Sequence, residues 1–195
     1  MIYDEKRIIA DIRSHLGDYR YEHSLNVAAS AKALAEKYGG DEDICYVAGL
    51  LHDVLKEQPR DEALAFFGNN GIVPTELEMN APKLWHAMAG AAYIKNNYPE
   101  LPDEAAEAVR YHTTGKENMT LTEKILFVAD FISADRDYPG VDEMRARAEK
   151  SLESAMEEGL RFTIWELSEK CVPIHPDTVS AYNYILLNER KQING

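Results

Sequence analysis

Six histidines occur in this chain of 195 residues, and four of them stand on helical rows that are otherwise apolar. His23 continues the row Val27, Ala31, Leu34 and Tyr38 at steps of three and four. His52 lies four beyond Ala48, inside the run Gly49-Leu50-Leu51-His52-Asp53-Val54-Leu55. His86 leads Ala89, Gly90 and Tyr93, and His112 closes the row Ala105, Ala108 and Val109. Two carboxylates are equally out of place: Asp53, and Asp130 within Ile125-Leu126-Phe127-Val128-Ala129-Asp130-Phe131-Ile132. An ionised carboxylate in such a run must be paired, neutralised or bound to a metal. Each histidine alone is satisfied by a backbone carbonyl, and Asp130 by an ion pair or a cap. Together the six groups would need separate partners, whereas one shared cation satisfies several at once. Imidazole and carboxylate donors suit iron, manganese, cobalt or zinc, and no thiolate spacing directs a cysteine-rich zinc site. Adjacent His52 and Asp53 diverge by about 100° on a helix, so an ion beside that helix is within reach of both.

The elements that must position these groups are helical nearly everywhere. Ile8, Ile9, Ile12 and Leu16 mark a first helix that stops near Gly17. A second runs from about Tyr21 to Tyr38 and ends at Gly39-Gly40, and Asp41 caps a third through Ile44, Val47, Ala48 and Leu51. Short helices are expected from Arg60 to Phe67 and, behind the capping box Thr75-x-x-Glu78, from Thr75 to Asn80. Others follow at Pro82–Asn97, Pro102–His112 and, behind a second box at Thr120-x-x-Glu123, at Thr120–Ser133. A long segment from Asp142 to Cys171 is expected to break near Gly159, and a last helix starts at Pro176. No stretch alternates in the strand manner. The fold class is all-α, a single helical domain over residues 1–195.

Lys and Arg total 21 against 34 Asp and Glu, a net charge of −13. That balance argues against nucleic acid or an anionic membrane as a partner. A phosphorylated substrate would have to be held by a metal or by a few focused cations. Cys45 and Cys171 fit no CxxC spacing and are expected to be buried free thiols. Charges at Asp4, Glu5, Lys6 and Arg7 interrupt any signal-peptide core, and no apolar run reaches about 18 residues, so a soluble cytoplasmic protein is expected. No phosphate loop of the Walker type and no Ser-His-Asp motif is present.

The order His23, then His52-Asp53, then Asp130 resembles the HD-domain superfamily of metal-dependent phosphohydrolases. Six blocks resemble one bacterial branch of it more closely: Arg20-Tyr21-Glu22-His23-Ser24-Leu25, Ala48-Gly49-Leu50-Leu51-His52-Asp53, His112-Thr113-Thr114-Gly115, Lys124 to Ile132, Arg136-Asp137-Tyr138-Pro139-Gly140-Val141 and Ile174-His175-Pro176-Asp177-Thr178. That branch is the symmetrical bis(5′-nucleosyl)-tetraphosphatases, and the likeness covers residues 21–183. Two departures stand out: Ala87 follows His86 in place of glycine, and Ser133-Ala134-Asp135 replaces a Glu-Pro step.

The resemblance implies an HD-domain helical bundle with one metal ion in its core, held by His23, His52, Asp53 and Asp130, with iron the expected metal. It implies hydrolysis of diadenosine tetraphosphate to two ADP, by attack of water at an inner phosphorus. Asp53, Lys56, His86 and His112 are the catalytic candidates. His86 and His112 either complete a second metal site or donate to phosphate, and phosphate is the preferred reading. Lys56 is either a solvated helix end or a cation for phosphate, and Arg136 either a surface ion pair or a phosphate or ribose contact. His175, Asp177 and Thr178, with Pro173, either cap a helix or contact the nucleotide. Thr113 joins the expected substrate contacts. Trp85, Trp165, Tyr182 and Tyr184 are read as core, and His15 as surface. Other functions stay open: an HD phosphohydrolase acting on mononucleotides or cyclic nucleotides, or a catalytically silent nucleotide-binding module. The partner expected is a small dinucleotide or ADP, and the sequence leaves homodimer formation open.

Overall fold

Capping side chains set several of the helix starts. A computed structural model describes the backbone of residues 3–194 and the side chains of residues 3–188. Asp4 accepts from Arg7 N at the start of α1 (Glu5–His15), and α2 (Asp18–Tyr38) ends where Gly39 turns left-handed at φ 75°. Asp41 caps α3 (Glu42–Leu51) by accepting from Ile44 N. After α4 (Arg60–Asn69) come α5 (Glu76–Met79), a 3-10 turn at Pro82–Leu84, and α6 (Trp85–Asn97). Then follow α7 (Asp103–Tyr111), α8 (Leu121–Ile132), α9 (Val141–Lys150), α10 (Leu152–Glu169) and α11 (Pro176–Asn194). Both expected capping boxes form, Thr75 with Glu78 and Thr120 with Glu123. Among the described residues there is no strand, and no helix is long and apolar enough to cross a membrane.

The centre of the bundle is α2 packed on α3 and α8, with α7 closing against α3, α6 and α8. Gly49 sets the closest approach of α2 to α3. A Cβ there would stand 2.5 Å from Ala28 Cα and 2.8 Å from Ala28 N. The two helices that carry His23 and lead into His52 are thus drawn together at a position where only glycine fits.

Four sequence expectations change. The long segment breaks at Ser151, not near Gly159, because Ser151 takes an extended backbone and accepts from Ser154 N. Gly159 instead lies inside α10 under Phe127 and Phe131, each 3.2 Å from where its Cβ would be. Cys45 is buried, but Cys171 is exposed, since it follows the end of α10 at φ 51°. Trp165 is exposed on the outer side of α10, whereas Trp85 is buried against Phe67. Finally, α3 stops at Leu51, and His52 and Asp53 lie in the tight turns that follow, marked by Val54 N to Leu51 O and Lys56 N to Asp53 O.

Gly49→Ala decides between two effects. Alanine favours helix over glycine by about 1 kcal/mol, while overpacking costs about 1–3 kcal/mol and the obstacle here is backbone that cannot swing aside. The expected result is a net loss of stability, read as a lower urea midpoint at unchanged m-value.

Candidate metal centre

Two helix ends repeat one device. His52 follows α3 and His112 follows α7, and each brings its Nδ1 to 2.7 Å from the carbonyl three residues earlier, Gly49 O and Val109 O. Those carbonyls are end-of-helix acceptors that need a donor. The bond places the proton on Nδ1 and leaves Nε2 as the acceptor nitrogen of a neutral ring. Burial pushes the His52 pKa down to about 4, despite the charge of Asp53 beside it.

Both Nε2 atoms face Asp53. His112 Nε2 is 3.7 Å from Asp53 Oδ1, His86 Nε2 3.2 Å from the same oxygen, and His52 Nε2 3.6 Å from Oδ2. Lys56 Nζ lies 3.3 Å from Oδ1 and donates to His86 Nε2 at 3.0 Å, and Arg20 Nη1 donates to Oδ2 at 3.1 Å. Burial opposes ionisation of Asp53, but His52, His112, His86 and Lys56 together outweigh it and hold its pKa well below the carboxylate range. Burial also pushes His86 down to about 4.

The other end is built on α2 and α8. His23 Nδ1 donates to Asp135 Oδ2 at 2.7 Å, and its Nε2 is 3.0 Å from Asp130 Oδ1. Burial disfavours the imidazolium, yet Asp130 and Asp135 outweigh burial and raise the His23 pKa. Asp130 is held well below its usual range, because His23 and Arg136 outweigh its burial. Arg136 pairs through Nη2 with Asp130 and donates from Nε to the Asp130 carbonyl at 2.7 Å. The four rings follow one another as His23, His52, His112 and His86, with centroid separations of 5.2, 5.2 and 5.0 Å. The centre therefore has two ends, one at Asp130 and Arg136 and one at Lys56 and His86.

The donor set fits a divalent cation. His52 Nε2 and Asp53 Oδ1 are buried with no hydrogen-bond partner, which is costly unless something else satisfies them. Two groups of ligand atoms each converge within 4.8 Å: His23, His52 and Asp130, and His52, Asp53 and His112. Nitrogen and oxygen donors at buried positions, with a carboxylate behind His23 and carbonyls behind His52 and His112, are the features of an oriented ligand shell.

The structure brings His23, His52, Asp53, Lys56, His86, His112, Asp130 and Arg136 into one cluster. Thr113 follows His112 with its buried Oγ1 unpartnered. The block from Pro173 to Thr178 lies apart from the cluster's hydrogen bonds. His175 Nε2 is 3.6 Å from Glu78 Oε1, and Asp177 N donates to His175 Nδ1 at 3.2 Å. Glu78 links that block back to the centre, since its carbonyl accepts Trp85 Nε1 at 2.7 Å, one residue before His86. No sequence expectation placed Arg20, Glu78 or Asp135 near the site, although Glu78 was expected in its capping box. Asp135 had a usable signal: a carboxylate in the stretch that departs from the branch pattern, five residues beyond Asp130.

An HD domain profile matches residues 20–135, which contain every member of the cluster except Arg136. The chain is 34% identical over 183 residues to the symmetrical bis(5′-nucleosyl)-tetraphosphatase of Bacillus subtilis, covering 94% of this chain and 98% of that protein. It is 34% identical over 179 residues to the enzyme of the same description from Halalkalibacterium halodurans, covering 92% and 95%. A Clostridium acetobutylicum crystal structure, described as a predicted HD superfamily hydrolase involved in NAD metabolism, matches with a TM-score of 0.91. That likeness comes at 32% identity and covers 95% of this chain and 98% of that one.

Asp130→Ala is expected to abolish metal retention while leaving the far-UV circular dichroism helical, since α8 keeps its apolar anchors. Asp135→Asn is expected to weaken metal affinity by about 10–100-fold, the usual effect of losing a group that orients a ligand. Full metal content in Asp130→Ala would contradict the assignment.

Proposed function

The chain belongs to the HD-domain family and, within it, to the symmetrical bis(5′-nucleosyl)-tetraphosphatases, and on that premise we propose how its core cluster serves the reaction. It is a hydrolase of phosphoric anhydride bonds that splits diadenosine tetraphosphate into two ADP. The observation that carries the mechanism is the convergence of buried His52 Nε2 and Asp53 Oδ1, neither with a hydrogen-bond partner, with neighbouring ligand atoms in the core.

His23, His52, Asp53 and Asp130 would hold one divalent transition ion, which we take to be iron within a donor set that also suits manganese, cobalt and zinc. Bound there, the ion would acidify water and offset charge on the phosphoryl oxygens. The chain's own groups position the polyphosphate. Arg136 at one end and Lys56 at the other supply the focused positive charge that a chain of net charge −13 otherwise lacks, and His86 and His112 line the Lys56 end. Thr113 offers a free hydroxyl to a phosphate oxygen. A water oxygen bonds to one inner phosphorus while the bond from that phosphorus to the central bridging oxygen breaks. The electron pair leaves with the second ADP, Lys56 or Arg136 steadies the charge on its terminal oxygen, and the surplus proton of the water passes to solvent. Little covalent help is needed, because phosphoryl transfer depends mainly on in-line placement and electrostatics.

Pro173, His175, Asp177 and Thr178 are read as nucleoside or phosphate contacts, supported by the start of α11 with proline in its first position. A second reading gives His112 and Asp53 to a second ion, favoured by their convergence with His52. Metal content of one or two ions per chain separates the two. Two free cysteines suit a cytoplasmic location.

Hydrolysis in ¹⁸O-water tests the reaction. Symmetrical attack places one label on the β-phosphate of half of the ADP formed, whereas AMP and ATP as first products would contradict it. His175→Ala combined with Thr178→Ala is expected to raise KM and weaken ADP binding. Unchanged values would remove the C-terminal block from the nucleotide site.

A further inference from the structure

A symmetrical reaction has two ADP halves, and in-line displacement expels one of them on the side opposite the attacking water while the other keeps the reacting phosphorus. The Lys56–His86 end of the centre opens onto a cavity of about 310 Å³, with those two residues in its wall. That size falls at the lower end of small-molecule sites. Arg60, Lys83, Gln58 and Trp85 also line it, and no carboxylate does, in a chain that carries 34 acidic residues against 21 basic ones.

The cations there differ from most others in the molecule. Arg20, Arg110 and Arg136 are each paired with an acid. Among the described residues, Arg60 and Lys83 have no acidic partner within ion-pair distance, and Arg60 instead lies 4.9 Å from the Trp85 ring centroid. Stacking on the indole orders the guanidinium without neutralising it. Helix α4 starts at Arg60, and its N-cap, Pro59, provides no side-chain cap for the first amides. The acids of that first turn, Asp61 and Glu62, are not among the cavity's lining residues. Gln58 adds a buried Oε1 with no partner, an acceptor for a hydroxyl or amine and not for a phosphate oxygen. Unpaired cations, free helix amides and an acceptor for a sugar or base are the complement of a nucleoside diphosphate.

We infer that this cavity is the subsite for the departing ADP half of the dinucleotide. Lys83 and Arg60 hold its phosphates, Lys56 faces the oxygen that takes up charge when the bridge breaks, and Gln58 accepts from the nucleoside. The inference rests on the proposed symmetrical reaction but concerns Arg60, Lys83 and Gln58, to which that reaction gives no role.

Calorimetric titration of the metal-loaded enzyme with ADP, together with steady-state kinetics on diadenosine tetraphosphate, tests it. The wild type is expected to bind two ADP per chain. Arg60→Ala with Lys83→Ala is expected to lose one of them and to raise KM by about tenfold or more, the scale of losing hydrogen bonds to charged groups. Lys83→Ala alone, whose side chain makes no hydrogen bond or ion pair within the described fold, is expected to raise KM by about threefold or more. It shows the effect without disturbing the Arg60–Trp85 stack. A single ADP site in the wild type, or unchanged KM and stoichiometry in both variants, overturns the inference. Failure of the broader reading looks different: AMP and ATP as wild-type products, with the second ADP site still present and still lost in the double variant.

Discussion

Carboxylates placed against an apolar core demand positive charge within reach, and at Asp53 and Asp130 that demand organises the middle of the molecule. Asp53 is almost wholly buried, so its ionised form needs positive charge at its oxygens, which Lys56 and Arg20 bring. Asp130 is compensated by His23 and Arg136. Removing a single partner would leave an uncompensated buried charge, which is far more costly than the partner's own packing. The helices that supply these groups are therefore held at fixed separations, most visibly where Gly49 lets α3 lie against the backbone of α2.

The two histidines at helix ends show how backbone geometry becomes chemistry. A terminal carbonyl of α3 or α7 fixes each ring's proton on the outer nitrogen and points the bare nitrogen at Asp53. His23 is oriented by a side chain instead, the carboxylate of Asp135. The result is an acceptor-rich centre with a cationic end on each side. An acidic protein can then treat an anionic substrate favourably at one place while repelling it elsewhere.

Much of this was legible in the sequence. Capping residues and glycines located the helix ends, and His23, His52, His86, His112 and Asp130 announced themselves as polar intrusions on apolar rows. What stayed hidden depended on pairings between distant segments. Arg20 meets Asp53 across 33 positions, and Asp135 meets His23 across 112. No periodicity within a helix encodes such contacts. Gly159 misled because an isolated glycine in a helical pattern suggests a break, whereas here it makes room for two phenylalanines. The break fell instead at Ser151, whose hydroxyl caps the next helix. The C-terminal block was recognisable by resemblance, but its tie to Glu78 depends on the tertiary fold alone.

The buried histidine and aspartate cluster suits a divalent ion, and the proposed reaction ties both the integrity of the core and hydrolysis to that ion. The most direct measurement strips the protein with a chelator and titrates iron(II) back under anaerobic conditions, following the melting temperature and ADP release from diadenosine tetraphosphate in the same samples. The account predicts that the melting temperature and ADP release rise together with ion added, since an ion bound only by the folded state stabilises it. Full ADP release by the stripped protein, or a melting temperature that does not move as the ion is added, would contradict it.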